Sequence, residues 1–179
     1  TGFFVPEEKR DRFAMSYQWD WNVSFGPLYA CDDNHLCVYY HEDVEFESGG
    51  AGMVSTLEDY GKFAQMLAAG GIYKGLRILG SASVKFMRTN HLTEQQMASL
   101  DWDSNAGYGY GCLMRVLVNQ RKAGSQAPLG EFGWDGWTGN YVAIDPGNNV
   151  VLLYFIQRRG AGTTPVVRKL RAVTYANID

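Results

Sequence analysis

Residues 132–157 read FGWDGWTGNYVAIDPGNNVVLLYFIQ, and this stretch decides the fold. It contains two apolar runs, about 139–145 and 149–157, which are joined by the turn sequence Asp145-Pro-Gly-Asn-Asn149. A further strand candidate, about 129–136, comes directly before them. Short links of this kind join antiparallel neighbours, so the stretch predicts an antiparallel meander.

The other strand candidates differ in character. Val150 to Ile156 is apolar at every position, which is typical of a central strand covered on both faces. Residues 107–118, GYGYGCLMRVLV, combine aromatic and apolar side chains and predict one more strand, whereas residues 119–128 read as a loop. The strands therefore form one block late in the chain.

Helices are predicted before and after this block. One spans residues 55–69, with a Ser55-x-x-Glu58 capping box at its start and Gly70-Gly71 as a left-handed stop. A second begins at Ser81 and runs to about Thr89, and a third begins at Thr164, with Pro165 in its first turn. The side chains expected to face inward are Leu57, Tyr60, Phe63, Ala64 and Leu67 in the first helix, Val84 with Met87 or Phe86 in the second, and Val166, Val167, Leu170 and Val173 in the third.

These elements indicate an α+β fold, with an antiparallel sheet flanked by helices. Gly75 to Leu79 reads as a short extended link, and residues 1–48 are irregular, with a hairpin expected around Leu28 to Phe46. The 179 residues fit a single domain. In it, residues 1–106 are mainly helical and loop, and residues 107–179 form the strands and the C-terminal helix.

Composition argues against several classes of function. A net charge of −3 without a concentrated basic face argues against a nucleic-acid-binding protein. No apolar run approaches the ~18 residues of a membrane span, and the first residues lack the features of a signal peptide. We therefore expect a soluble protein. The sequence does not give its compartment, and the cytoplasm is favoured over the periplasm or secretion. No cofactor is expected, since the sequence has no phosphate-binding loop.

The cysteines and histidines give little indication of a disulfide or a metal site. Cys31 and Cys37 lie six residues apart and could close a small loop in an oxidising compartment, but the total of three cysteines argues against a disulfide framework. His35 and His41 lie in or near the same segment without paired metal-ligand spacing, so no metal site is expected.

Residues 130–141, GEFGWDGWTGNY, carry four glycines and two tryptophans in a strand region. Glycine weakens a strand and usually marks a bulge or the close approach of a ligand, so this segment predicts one wall of an active site. Packing of Trp134 and Trp137 in the core explains the same pattern and stays open as an alternative. The chain has no Gly-x-Ser-x-Gly or Ser-x-x-Lys sequence, so no nucleophile is expected in it.

Four segments, in their order and spacing, resemble the C-terminal part of the serine β-lactamase-like hydrolases. They are residues 49–71, GGAGMVSTLEDYGKFAQMLAAGG, residues 76–87, LRILGSASVKFM, residues 107–111, GYGYG, and residues 132–157. This superfamily contains class C β-lactamases, D-Ala-D-Ala carboxypeptidases and family VIII esterases. The resemblance implies a β-lactamase/transpeptidase-like fold whose N-terminal strands and helix lie outside this chain. The Ser-x-x-Lys and Tyr-x-Asn motifs of the family would precede Thr1.

The resemblance also implies a site. The third motif of these enzymes, Lys-Thr-Gly or His-x-Gly, maps to Trp134, Asp135 and Gly136, where substrate would lie against the strand and a side chain at position 136 would block it. The backbone N–H of Trp137 would be one of two oxyanion-hole donors. As further substrate-binding candidates, Tyr108 and Tyr110 either line the same cleft or only pack within the strands.

Trp134 departs from the family pattern, which has a cation here to hold a carboxylate. A flat apolar side chain suits an uncharged acyl or alcohol group. The resemblance therefore implies a serine hydrolase that acts on carboxylic esters, or transfers acyl groups, through an acyl-serine intermediate, and this chain alone is expected to be inactive. The alternatives are a β-lactamase or D-Ala-D-Ala carboxypeptidase of the same fold, and a non-catalytic binding domain that has lost the nucleophile.

The last predicted strand raises the question of a partner. Without the N-terminal strands of the family fold, Asn149 to Gln157 would form an exposed apolar edge, and such edges recruit another chain. We expect this edge to pair with an N-terminal part of the same protein or with a second copy of this chain.

Overall fold

The structure is a computed structural model that describes residues 1–20, 26–31, 40, 44–100 and 102–178. Its strands, in chain order, are β1 (Ser16–Trp19), β2 (Leu28–Cys31), β3 (Ile72–Tyr73), β4 (Leu76–Arg77), β5 (Tyr108–Tyr110), β6 (Arg115–Leu117), β7 (Phe132–Asp135), β8 (Tyr141–Asp145) and β9 (Val150–Tyr154). Its α-helices are α1 (Leu57–Ala68), α2 (Ser81–Met87), α3 (Glu94–Ala98), α4 (Gln120–Ala123) and α5 (Pro165–Tyr175). Short 3-10 helices span Glu7–Arg12 and Asp103–Asn105.

The main sheet contains β5 to β9 in chain order, with every neighbouring pair antiparallel. This arrangement confirms the predicted meander and the α+β class. The turn between β8 and β9 forms as expected, since the Asp145 carboxylate accepts hydrogen bonds from the Gly147 and Asn148 amides. The pairs β1–β2 and β3–β4 form two separate small sheets.

Helices cover both faces of the main sheet. On one face, α1 and α2 pack against alternate residues of β6, β7 and β8. The buried members of this core are Ala64, Met66, Leu67, Ala68, Val84, Val116, Phe132, Val142 and Ile144. On the other face, α5 inserts Val167, which is fully buried, between Tyr141 and Ala143. Side chains of β7 therefore alternate between the α1 face and the α5 face.

The start of α1 differs from the prediction by a shift of one residue in its cap. Thr56, not Ser55, is the N-cap, and its hydroxyl accepts a hydrogen bond from the Asp59 amide at 3.1 Å. Ser55 instead contacts the Thr1 hydroxyl. The inward face also differs, because Met66 is buried while Leu57 and Phe63 are exposed. The stop at Gly70, whose φ is 63°, is confirmed.

Three extended segments form hairpins that the sequence did not indicate. Residues 107–118 contain two strands, β5 and β6, because the chain reverses at Leu113, whose φ is 60°. Gly75 to Leu79 contributes β4 to a hairpin with β3, and β2 pairs with β1. Most of the hairpin expected around Leu28 to Phe46 lies outside the described residues. The described part of residues 1–106 thus contains four short strands in addition to helices and loops, and the predicted loop 119–128 contains α4.

The last strand and the last helix are less covered than predicted. In the sheet of the described residues, β9 has β8 as its only strand neighbour, so it is an edge strand and not the central strand that its composition indicates. The Tyr17 amide donates to the Gln157 carbonyl at 2.8 Å just beyond β9. The α5 side chains Val166, Leu170 and Val173 are 48%, 36% and 62% exposed, so Val167 alone of the predicted stripe is buried.

In the part of the chain that the structure describes, no helix is long and apolar enough to span a lipid bilayer. The described residues also contain no group of three or more His, Cys, Asp or Glu side chains that could hold a metal ion. Cys37, His35 and His41 lie outside the described residues, and so does the question of whether Cys31 pairs with Cys37.

Candidate active site

The turn after β7 places Trp137 at its second position. The Gly136 carbonyl accepts a hydrogen bond from the Gly139 amide at 2.9 Å, which defines a β-turn over residues 136–139. The Gly136 amide donates to the Asn140 carbonyl at 2.7 Å and closes the same turn on its inner side. The turn is therefore held by two backbone hydrogen bonds that leave the Trp137 amide out.

The segment after β9 forms hydrogen bonds with this turn. The Trp137 carbonyl accepts from the Ala161 amide at 3.1 Å, and the Thr138 carbonyl accepts from the Arg158 amide at 2.9 Å. The Asn140 side chain adds an anchor, because its Oδ1 accepts from the Ile156 amide at 3.1 Å. These bonds fix the plane of the peptide groups on both sides of the turn.

The amide N–H of Trp137 remains available for a hydrogen bond in this turn. Within the described residues it donates to no acceptor, and the Trp137 side chain is 51% exposed. A fixed backbone N–H without an acceptor at an exposed turn can stabilise a negative charge that develops on a bound molecule. Sheet pairing does not consume this donor, and Trp137 is not sealed in the core.

Gly133 and Gly136 differ in the room that their surroundings leave for a side chain. At Gly133 an added Cβ would lie 2.0 Å from the Val142 carbonyl oxygen, so the backbone of β8 excludes any side chain. At Gly136 the nearest atom to an added Cβ is the Asn140 carbonyl oxygen at 3.9 Å, which is an ordinary contact. Packing within the described residues explains Gly133 but leaves open space beside Gly136.

This contrast predicts that alanine at position 133 destabilises the folded chain, whereas alanine at position 136 does not. Gly133→Ala should lower the free energy of unfolding by about 1–3 kcal/mol, since β7 and β8 must move apart. Gly136→Ala should leave it unchanged or raise it by up to about 1 kcal/mol, because alanine restricts the unfolded chain. Urea unfolding followed by tryptophan fluorescence measures both, and an equal loss in the two variants would contradict this account of the glycines.

Trp134 and Tyr110 form an aromatic pair beside the turn. Their ring centroids are 5.4 Å apart and the planes meet at 79°, an edge-to-face contact. Tyr110 is held in place by its backbone, since its amide donates to Asn90 Oδ1 at 3.0 Å and its carbonyl accepts from the His91 amide. The half-buried Trp134 therefore presents a supported apolar surface.

Asp135 points to the other face of the sheet. One carboxylate oxygen accepts from Arg115 at 2.6 Å and the other accepts from the Thr163 hydroxyl. Arg115 is only 3% exposed and lies against the rings of Tyr108 and Tyr141. Asp135 thus ties β7 to β6 and to the segment after β9, so its contact with a substrate would be indirect.

Tyr108 belongs to a separate buried network. Its hydroxyl donates to Glu131 Oε2 at 3.0 Å and accepts a hydrogen bond from Arg171. Burial raises the pKa of the Tyr108 hydroxyl, and the neighbouring Glu131 carboxylate raises it further. Burial likewise raises the pKa of Glu131, against the opposing effect of the Arg171 cation. The structure brings Tyr110, but not Tyr108, to Trp134.

Three residues that support the site were not singled out from the sequence: Arg115, Asn140 and Thr163. A signal existed for Arg115, because a charged residue inside the apolar run CLMRVLV requires a buried partner. Asn140 stands within the glycine-rich segment itself. Nothing in the sequence near Thr163 indicates its contact with a carboxylate 28 residues away.

Comparison with known proteins identifies the family. The family model described as Beta-lactamase matches residues 1–176, and the chain therefore belongs to the β-lactamase family, whose members are serine hydrolases and acyltransferases. Protein Rv1367c of Mycobacterium tuberculosis (strain ATCC 25618 / H37Rv) is 30% identical over 170 residues, which are 88% of this chain and 39% of the relative. The resemblance that the sequence motifs indicated is confirmed.

Solved structures confirm the β-lactamase/transpeptidase-like fold. EstCE1, described as a hydrolase with promiscuous acyltransferase activity, superposes with a TM-score of 0.74 at 20% identity, over 97% of this chain and 46% of its own. Simvastatin synthase (LovD) from Aspergillus terreus superposes with a TM-score of 0.73 at 20% identity, over 98% of this chain and 46% of its own. The chain thus spans less than half the length of each of these proteins.

Proposed function

We propose that this chain forms the C-terminal part of a serine hydrolase that cleaves carboxylic esters or transfers their acyl groups. The observation that carries the proposal is the Trp137 amide N–H, which is fixed, has no acceptor within the described residues and lies next to the open position at Gly136. The nucleophilic serine, with its Ser-x-x-Lys and Tyr-x-Asn motifs, lies on a segment outside residues 1–179.

The proposed reaction uses the turn as half of an oxyanion hole. The serine oxygen bonds to the carbonyl carbon of the ester while its proton passes to a basic side chain of the Ser-x-x-Lys or Tyr-x-Asn motif, and the C=O electron pair moves onto the oxygen that faces the Trp137 N–H. The same proton passes to the alcohol oxygen when the alcohol leaves. Collapse of this intermediate expels the alcohol and leaves an acyl-serine, which water or a second alcohol then attacks in the same way. The bonds to Ala161 and Asn140 hold the N–H in place before the charge develops, which is the condition for electrostatic stabilisation.

The aromatic pair argues for an uncharged substrate. Trp134 and Tyr110 offer apolar surface where a cation would be needed to hold the carboxylate of a β-lactam or peptide. EstCE1, a hydrolase with promiscuous acyltransferase activity, agrees with ester hydrolysis or acyl transfer on this fold. In this proposal Asp135 acts through Arg115 and Thr163, by holding β7 in position.

The exposed surfaces at the end of the chain support the same proposal. The edge of β9 and the α5 side chains Val166, Leu170 and Val173 are apolar and uncovered by the described residues. An unpaired apolar edge next to an apolar helix face requires a cover. We propose that the segment that carries the nucleophile supplies this cover, in preference to a second copy of the chain.

The test compares residues 1–179 with a longer protein that includes the coding sequence before them. With p-nitrophenyl butyrate, the longer protein should release a burst of p-nitrophenol equal to its concentration, and mass spectrometry should find one acyl adduct outside residues 1–179. The shorter chain should show neither. A chromogenic cephalosporin, which carries a carboxylate, should be consumed at least about 10-fold more slowly than the ester.

Three outcomes would contradict the proposal. A burst from residues 1–179 alone would mean that the nucleophile lies within this chain. Faster turnover of the cephalosporin than of the ester would support the β-lactamase alternative. The absence of an adduct from both proteins would support a non-catalytic binding domain.

A further inference from the structure

A cavity of about 510 Å³ opens on the α5 side of the sheet, and neither Trp134 nor Trp137 lines it. Its volume is within the range of small-molecule binding pockets. Arg115, at its floor, pairs with Gly133 across the sheet, so the cavity lies on the face opposite to Trp134. The walls come from α4, from α5 and from the 3-10 helix at residues 103–105.

Cationic side chains dominate this cavity. The lining contains five of them, Arg115, Arg121, Lys122, Arg168 and Arg171, and one carboxylate, Asp103. Three of the arginines have carboxylate partners: Arg115 with Asp135, Arg168 with Asp103 and Arg171 with Glu131. Within the described residues, Arg121 and Lys122 form no ion pair. The cavity therefore carries an excess of two positive charges.

Hydroxyl groups and small side chains complete the lining. The Ser125 oxygen accepts hydrogen bonds from Arg171 at 2.9 Å and from the Ala127 amide at 3.1 Å, which leaves its O–H free to donate. Ser104 adds a second hydroxyl, and Ala106, Ala123 and Ala172 leave room between the charged groups. A lining that combines hydrogen-bond donors with small apolar side chains suits an anion that bears an organic group.

We propose that this cavity binds a phosphate monoester of a small organic molecule. The dianionic group would lie between Arg121 and Lys122, where the planar guanidinium of Arg121 can donate two parallel hydrogen bonds to phosphate oxygens and Lys122 supplies a compact charge. A dianion neutralises both unpaired cations, whereas a monocarboxylate leaves one of them unbalanced. The Ser125 hydroxyl would donate to a third oxygen.

The experiment titrates phenyl phosphate into the protein by calorimetry and by NMR. We expect saturable binding with one site per chain and amide shifts that cluster at Ser104 and Ser125. Arg121→Gln/Lys122→Gln should weaken binding at least about 10-fold, since two charge-assisted contacts are lost. The control, Lys9→Gln/Lys85→Gln, removes the same charge from exposed positions outside the cavity and should stay within about twofold, as surface charges are screened by salt.

Several results would overturn the proposal. These are no saturable binding, an equal loss in both double variants, or benzoate that binds as tightly as phenyl phosphate. Circular dichroism should show that both double variants fold, because all four side chains are exposed. If the cavity variant does not fold, Lys122→Gln alone is the test and should weaken binding at least about threefold.

Discussion

Trp137→Pro should lower the turnover of a neutral ester by about 100- to 1000-fold in the enzyme that contains the nucleophile, because it removes one oxyanion donor. Trp137→Ala keeps the N–H and removes the indole, so it should retain most of the activity. The indole is half exposed and its removal leaves the hydrogen bonds of the turn in place. The ratio of the two variants therefore isolates the contribution of a single backbone hydrogen.

Proline can occupy this position without disturbing the turn. Trp137 is the second residue of the β-turn 136–139, where proline is favoured, and its φ is not positive. The preceding residue is Gly136, which tolerates the backbone restriction that proline imposes. Since the Trp137 amide has no acceptor within the described residues, the folded chain loses no hydrogen bond. We expect a change of less than about 1 kcal/mol in the free energy of unfolding.

The measurement is the amplitude and rate of the p-nitrophenol burst, together with urea unfolding of each variant. If Trp137→Pro retains turnover within about threefold of Trp137→Ala, the amide is not an oxyanion donor. A large loss of stability in Trp137→Pro would instead contradict the assignment of the turn.

Local signals in the sequence were sufficient for the meander and insufficient for its fine structure. The turn at residues 145–149 and the apolar runs beside it placed β7, β8 and β9 within a few residues. The cap of α1 was ambiguous because Ser55 and Thr56 are adjacent hydroxyl residues, each followed three positions later by an acid. The reversal between β5 and β6 was invisible, since Leu113 carries the positive φ and leucine does not signal a turn.

In the candidate site too, the sequence indicated which residues matter but not the contacts that they make with distant parts of the chain. Gly133 and Gly136 look equivalent in the sequence, and only the position of the Val142 carbonyl distinguishes them. The charges of Arg115 and Asp135 are evident from the sequence, but their pairing depends on the register between β6 and β7. Of the predicted inward stripe of α5, Val167 is buried, whereas Val166, Leu170 and Val173 are exposed. The burial of these apolar residues depends on which other elements pack against α5, and the helical spacing of the sequence does not indicate that.

The second large effect should come from the buried ion pair of Arg115 and Asp135. Asp135→Ala removes the carboxylate 2.6 Å from a guanidinium that is 3% exposed, and it also leaves the Thr163 hydroxyl without its acceptor. A buried charge that loses its partner typically costs about 3–5 kcal/mol of stability. We expect a loss of this size in urea unfolding at pH 7.

Two controls test whether the loss of stability in Asp135→Ala comes from leaving a buried charge without a partner. Arg168→Ala breaks an Arg–Asp pair whose side chains are 52% and 83% exposed, and it should cost less than about 1 kcal/mol. Arg115→Met/Asp135→Leu removes both charges and fills the space with apolar atoms, so it should recover most of the stability lost in Asp135→Ala. A loss below about 1 kcal/mol in Asp135→Ala would contradict the role of this pair.

The two large effects should also differ in kind. Asp135 lies between Trp134 and Gly136 in sequence but contacts Arg115 and Thr163, so its removal should lower activity through the loss of folded protein. The activity of Asp135→Ala, corrected for the folded fraction, should stay within about 10-fold of that of the unsubstituted enzyme. The substitution removes the contacts of Asp135 that support β7, but the Trp137 amide N–H remains. Trp137→Pro should show the reverse, with full folding and little turnover. If Asp135→Ala folds fully and still loses activity as Trp137→Pro does, Asp135 acts on the substrate directly and its bond to Arg115 must open during the reaction.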